Sequence, residues 1–154
     1  MNDDSPVGPA APIRYQLTHR LKEDIMTAHG HFHWNELMTR NIAKAKEFYG
    51  KTLGWTFTEM PMPDQEGNYV VAMDGETMVA GMMQMGGPQF AGLPEHWMGY
   101  IAVDDIDKRV AALKEAGGTV MREPWDVGEV GRIAIVADPG GAAQGWMTPG
   151  GGVD

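Results

Sequence analysis

The chain contains an internal duplication. Residues 42–83 align with residues 106–147 at an offset of 64 without a gap. Eight positions are identical, where ordinary residue usage would give about three by chance. The identical pairs are Ile42/Ile106, Lys44/Lys108, Gly54/Gly118, Glu59/Glu123, Gly67/Gly131, Asp74/Asp138, Gly81/Gly145 and Met83/Met147. The fold must therefore be built from two similar halves.

Each copy begins with the pattern of a strand followed by a helix. Strand candidates at 33–39 and 97–103 precede Asn41 and Asp105, whose side chains can accept hydrogen bonds from the exposed N–H groups of a first helical turn. Apolar residues at three- and four-residue spacing then predict one buried stripe per helix. The stripes are Ile42, Ala45, Phe48 and Tyr49, and Ile106, Val110 and Leu113.

Strand candidates follow each helix. The clearest are 69–73 with 77–85 and 132–137 with 142–148, and the turn between the first pair contains Asp74 and Gly75. The pattern predicts an α+β fold in which two tandem βαβββ modules form a curled mixed sheet around a cleft.

The modules are expected at 31–87 and 95–149, with a tail at 150–154. Residues 1–30 are expected to form a flexible or loosely docked extension, with Met26 as an alternative start.

Charge and composition narrow the class of partner. Lys and Arg number 12 against 21 Asp and Glu, which gives a net charge of −9. A protein surface that binds nucleic acid or an anionic membrane needs clustered Lys and Arg side chains, so neither partner is expected. The absence of cysteine suits a reducing compartment, and no apolar run is long enough to span a bilayer. A cytoplasmic protein is predicted.

Three stretches of the sequence resemble the glyoxalase, bleomycin-resistance and dioxygenase superfamily, the vicinal-oxygen-chelate proteins. They are ELMTRNIAKAKEFYGKTLGW, HWMGYIAVDDIDKRVAALKEAGG and GRIAIVADPGGAAQGWM. The Trp-x-Glu-Leu motif at 34–37 and the Asp-Pro-x-Gly turn at 138–141 are similar to a glyoxalase-like subgroup of mostly unassigned function. The resemblance covers about residues 31–149 and implies a glyoxalase-like fold. It also implies a homodimer, which exposed sheet edges favour.

In metal-dependent members of this family, a divalent ion chelates two neighbouring substrate oxygens. In those family members, the metal ligands are a His or Glu on the first strand and a Glu on the last strand of each module. The matching positions here hold Trp34, Gly81, Met98 and Gly145, none of which is a ligand for a hard cation. The resemblance therefore implies a site without the usual metal, and no cofactor is expected. An alternative ligand set is His29, His31 and His33 with His96.

A cleft without these ligands would be apolar. If Trp34 faces it, strand alternation also turns Glu36, Met38, Met98 and Tyr100 inward. Met83 and Met147 should join them from the closing strands. The predicted ligand-binding residues are therefore Trp34, Met38, Met83, Met98 and Met147, and a hydrophobic or aromatic small molecule is the expected partner. A filled core is the competing interpretation, and Trp55, Trp125 and Trp146 are expected to be packing residues.

Three classes of function remain open. The first is a metal-free binding protein of the glyoxalase or bleomycin-resistance type. The second is a glyoxalase-like enzyme of the lyase, isomerase or dioxygenase type. It would be either metal-dependent through the histidines or would use Glu36 as a base, with a pKa raised by burial and with Tyr100 as the other candidate catalytic group. The third is an interaction module that uses the N-terminal extension.

Overall fold

A computed structural model describes residues 29–62, 68–128 and 130–150. Its strands are β1 (Phe32–Thr39), β2 (Thr56–Pro61), β3 (Asn68–Asp74), β4 (Thr77–Gln84), β5 (His96–Ala102), β6 (Thr119–Val127), β7 (Gly131–Ala137) and β8 (Ala143–Pro149). Its helices are α1 (Ile42–Leu53) and α2 (Ile106–Glu115), with a short 3-10 helix at Pro88–Phe90. Residues 1–28 of the predicted extension and 151–154 of the tail lie outside the described residues.

The eight strands form one mixed sheet in the order β2-β3-β4-β1-β5-β8-β7-β6. The first strands of the two modules, β1 and β5, are antiparallel neighbours at its centre. Each pairs in parallel with the last strand of its own module, β4 or β8. The predicted α+β fold of two βαβββ modules is therefore confirmed. The sheet is not closed, because β2 and β6 end it, and dimerisation through such edges stays a prediction.

The two copies are related by an approximate twofold axis that passes between β1 and β5 at the centre of the sheet. Asn35 pairs with Gly99, which is its duplicate at the offset of 64. On either side of this pair, Trp34 lies opposite Tyr100 and Glu36 lies opposite Met98. The axis thus brings the inward-facing residues of both modules together in one small area.

The predicted helix caps are confirmed. Asn41 Oδ1 accepts from the Lys44 N–H at 2.9 Å, and Asp105 Oδ1 accepts from the Lys108 N–H at 3.0 Å. Gly54 ends α1 with a φ of 73°, a conformation that glycine adopts without the steric cost of a Cβ.

The two helices are not buried equally. The stripe of α2, formed by Ile106, Val110 and Leu113, is fully buried, whereas α1 has no fully buried residue. Phe48, predicted in the stripe of α1, is 58% exposed, so that part of the prediction is wrong. The neighbouring Tyr49 takes the sheet-facing position, and Phe48 packs edge-on against its ring from outside, with centroids 5.0 Å apart.

Two hydrophobic clusters lie between the sheet and its helices. Leu37, Val70, Ala72, Ala80 and Met82 pack towards α1, and α2 packs on Val103, Ala134 and Val136. Trp55 and Trp146 join these two clusters, in keeping with a packing role. In the described part of the chain, neither helix is long and apolar enough to cross a membrane.

Candidate functional site

A third cluster lies on the other side of the sheet, which we call the concave face. Its buried members are Met38, Met85, Met98, Tyr100, Ile133 and Met147. Trp34, Met83, Phe90, Trp125, Val127 and Ile135 are partly buried and pack against it. All five predicted ligand-binding residues therefore lie on one face. Met38, Met98 and Met147 are only 6, 9 and 4% exposed, so the face is closely packed rather than an open cleft.

Four side chains on this face form a hydrogen-bonded group, which we call the Glu36 cluster. Glu36 is only 6% exposed, and both of its carboxyl oxygens have phenol partners. Tyr69 Oη donates to Oε2 at 2.7 Å, and Tyr100 Oη donates to Oε1 at 3.0 Å. Trp34 Nε1 donates to Tyr69 Oη at 2.9 Å. The cluster thus satisfies a carboxyl group that would otherwise be costly to bury.

The duplication explains part of this arrangement. Glu36 and Tyr100 occupy equivalent positions in the two modules, and they meet across the axis. Tyr69 comes from β3 and is a residue that the sequence interpretation missed. Its duplicate is Ile133, which carries no polar atom, so the cluster has only one such tyrosine from a third strand.

Positions 81 and 145 have no room for a side chain, because a tyrosine lies beside each of them. A Cβ on Gly81 would lie 1.6 Å from Tyr69 Oη and 3.0 Å from Trp34 Nε1. A Cβ on Gly145 would lie 2.1 Å from Tyr100 Cδ1. Gly81 and Gly145 offer no ligand to a metal, as the sequence says, and aromatic side chains fill the space beside both of them.

The divalent metal of the family does not fit this set of residues. Two of its four positions are glycines packed against tyrosine, and the others are Trp34 and Met98. No group of three or more His, Cys, Asp or Glu side chains that could hold a metal ion occurs within 29–62, 68–128 and 130–150.

The alternative histidine set is also not assembled. His29 and His31 precede β1, and His33 lies within it. His29 Nδ1 accepts from the Asp104 N–H at 3.1 Å, and His96 Nδ1 lies 2.8 Å from the Pro94 carbonyl oxygen. The alternative in which these imidazoles converge on a metal is therefore not supported, since no group of three possible ligands occurs among the described residues.

Burial sets the electrostatics of the Glu36 cluster. Desolvation raises the pKa of Glu36 above its ordinary 4.5, and the hydrogen bonds from Tyr69 and Tyr100 oppose the rise only in part. Burial, followed by the neighbouring Glu36 carboxylate, raises the pKa of Tyr69 and Tyr100. The tyrosines therefore remain protonated donors, while Glu36 takes up a proton more readily than a surface carboxylate does.

The sequence is similar to curated proteins of about twice its length. It is 39% identical over 144 residues to "Putative glyoxylase CFP32" of Mycobacterium tuberculosis, covering 94% of this chain and 53% of that protein. It is 33% identical over 120 residues to "Anthracycline biosynthesis protein DnrV" of Streptomyces peucetius, covering 71% of this chain and 44% of that protein. The chain thus spans about half the length of these relatives.

Solved structures share the fold. Hypothetical protein BH1468 from Bacillus halodurans superposes with a TM-score of 0.61 at 15% identity, covering 81% of this chain and 98% of that one. Streptomyces coelicolor methylmalonyl-CoA epimerase, in complex with 2-nitronate-propionyl-CoA, gives 0.59 at 15% identity, with 81 and 100% coverage. Residues 30–143 match the family model itself. The chain therefore belongs to the Glyoxalase/Bleomycin resistance protein/Dioxygenase superfamily.

Proposed function

We propose that this chain binds a small apolar or aromatic molecule on the concave face without the divalent metal of its family. The observation that carries the proposal is the Glu36 cluster, a buried and fully paired carboxyl group set into a wall of methionines. A face that served only as core could be filled with apolar side chains at lower cost. A retained polar group on an apolar face is what a ligand site requires.

The chemistry of the face suggests which ligand it would accept. Methionine is unbranched and polarisable, so Met38, Met83 and Met147 can rearrange around a planar hydrophobic molecule. Both tyrosine protons are directed at Glu36, so the spare capacity of the carboxylate is to accept hydrogen bonds. A ligand hydroxyl or N–H group is therefore the polar group that Glu36 would hold.

Binding of N-phenyl-1-naphthylamine, a neutral fluorescent probe with one N–H, tests the proposal. In a titration of the folded protein, at a temperature well below its melting temperature, we expect saturable binding of one probe per chain. Met83→Ala should weaken binding about fivefold, because apolar contact surface is lost at the edge of the face. Met121→Ala is the matched control, since Met121 is 55% exposed and is not part of the concave cluster. Absence of saturable binding, or equal losses in the two variants, would contradict the proposal.

A second candidate function is proton transfer by Glu36. The raised pKa of this carboxyl group favours it, because burial makes Glu36 a stronger base than a surface carboxylate. Two tyrosine hydrogen bonds also hold the group in one position. A binding protein should keep most of its affinity for the naphthylamine probe in Glu36→Gln, because the glutamine carbonyl can still accept from the N–H group, whereas an enzyme that uses Glu36 as a base should lose its rate.

A further inference from the structure

Arg122 of β6 lies on the concave side of the sheet. It pairs with Ile135 of β7, and directly opposed residues of an antiparallel pair point to the same face. Ile135 packs against the concave cluster, so Arg122 is on that side as well. Arg122 itself is exposed, which places it where the face meets solvent.

The Arg122 guanidinium lies over an aromatic ring of the same face. Its central carbon is 3.6 Å from the centre of the Trp125 ring, and Trp125 packs against the concave cluster. The charge also reaches Tyr100, whose pKa it pulls downward against the larger effect of burial. Arg122 is thus electrostatically linked to the Glu36 cluster.

Arg122 differs from the other guanidinium groups of its module. Arg109 pairs with Asp104, and Arg132 pairs with Asp107 and Asp126. None of the salt bridges within the described ranges includes Arg122. In a chain of net charge −9, a cation that makes no salt bridge with a described carboxylate and lies beside an apolar site is not explained by a generally basic surface.

We propose that Arg122 binds an anionic group of the ligand at the edge of the concave face, so that the ligand is an apolar or aromatic acid. This inference rests on the proposed function. A guanidinium stacked on an indole keeps its N–H groups free to donate to a carboxylate or sulfonate. Glu36 can accept from a hydroxyl or N–H group of the ligand and Arg122 can donate to its acidic end, so the two side chains orient the molecule in one direction.

Two probes that differ by a single charge test the inference. 6-Anilinonaphthalene-2-sulfonate carries its N–H group and its sulfonate at opposite ends of the naphthalene, and N-phenyl-2-naphthylamine is the same molecule without the sulfonate. We expect the wild-type protein to bind the sulfonate probe about tenfold more tightly at low salt, as a charge-assisted hydrogen bond would give. Arg122→Gln should remove this preference and leave the neutral probe within twofold, and Arg122→Lys should restore part of it.

Arg132→Gln is the matched control, because it removes the same group from the adjacent strand on the side that faces α2. It should leave the ratio of the two affinities unchanged. The inference would be overturned if the wild type bound the two probes with equal affinity, or if Arg122→Gln weakened the binding of both probes equally. In either case the proposed function would stand. Failure of both probes to bind would overturn the inference and the proposed function together.

Discussion

Alanine at position 145 is expected to lower the free energy of unfolding by about 3 kcal/mol, the upper part of the range for overpacking a core. The new Cβ would lie 2.1 and 2.3 Å from Cδ1 and Cε1 of Tyr100. Those ring atoms cannot swing away easily, because Tyr100 is buried and directly opposite Gly145 in the sheet. Chemical denaturation with urea measures the loss.

Gly86→Ala is the control for that substitution. No atom lies within 4 Å of a Cβ at Gly86, so we expect a change within about 0.5 kcal/mol. In a double-mutant cycle, Tyr100→Ala should remove much of the cost of Gly145→Ala, whereas Tyr100→Phe should not, because the colliding atoms belong to the ring. A cost that is independent of residue 100 would show that Tyr100 is not what requires the glycine.

The second large effect is expected from Glu36→Gln and depends on pH. Glutamine keeps the shape and can still bond both tyrosines, but it removes the titrating group. Because the folded state raises the pKa of Glu36, it binds the proton more tightly than the unfolded chain does, and wild-type stability falls as pH rises from about 4.5 to the raised value. The variant should therefore gain stability relative to the wild type over that interval.

Glu95→Gln provides a control of opposite sign. The Arg40 N–H and the Thr39 hydroxyl donate to Glu95, and these hydrogen bonds lower its pKa. The ionised Glu95 side chain therefore stabilises the folded state above the unfolded pKa, and this stabilisation is lost as pH falls. Because Glu95→Gln lacks it at every pH, the variant should lose stability relative to the wild type as pH rises. Unfolding curves of the three proteins between about pH 2.5 and pH 8 measure both trends, because the Glu95 trend lies below about pH 4.5 and the Glu36 trend lies above it. A Glu36 trend parallel to that of Glu95 would contradict a desolvated carboxyl group.

The duplication made the fold predictable because each copy carries its own cap, helix stripe and turn. It also predicted the faces of the central strands. Glu36 and Tyr100 are duplicates of each other, and alternation along β1 and β5 places both on the concave face. The exposure of Phe48 could not be read from spacing, because Phe48 and Tyr49 are adjacent and only packing decides which of them meets the sheet.

Tyr69 could not be predicted because of a β-bulge. The turn pairs Asp74 with Thr77, and a regular hairpin would then place Val70 opposite Gly81. The bulge between Ala72 and Met73 shifts the register by one, so Val71 lies opposite Gly81 instead. Because side chains alternate, this shift puts Gly81 on the same face as Tyr69 and opens the space that the phenol occupies.

Arg122 was missed for a similar reason. The β6–β7 pairing changes register between Val120 and Arg122 and again between Arg122 and Trp125. Counting along β6 therefore does not predict which face each side chain takes. The sequence predicts that β6 is a strand, but only the pairing with Ile135 identifies Arg122 as a residue of the concave face.

We propose that the concave face, with the Glu36 cluster on it, binds its ligand without the divalent metal of the family. Metal content of the purified, untagged protein by elemental analysis tests this most directly, followed by thermal-shift titration with zinc, nickel, manganese and iron(II). We expect no stoichiometric metal and no rise in melting temperature with any of the four ions. One equivalent of bound metal that is lost on His33→Ala would contradict the proposal.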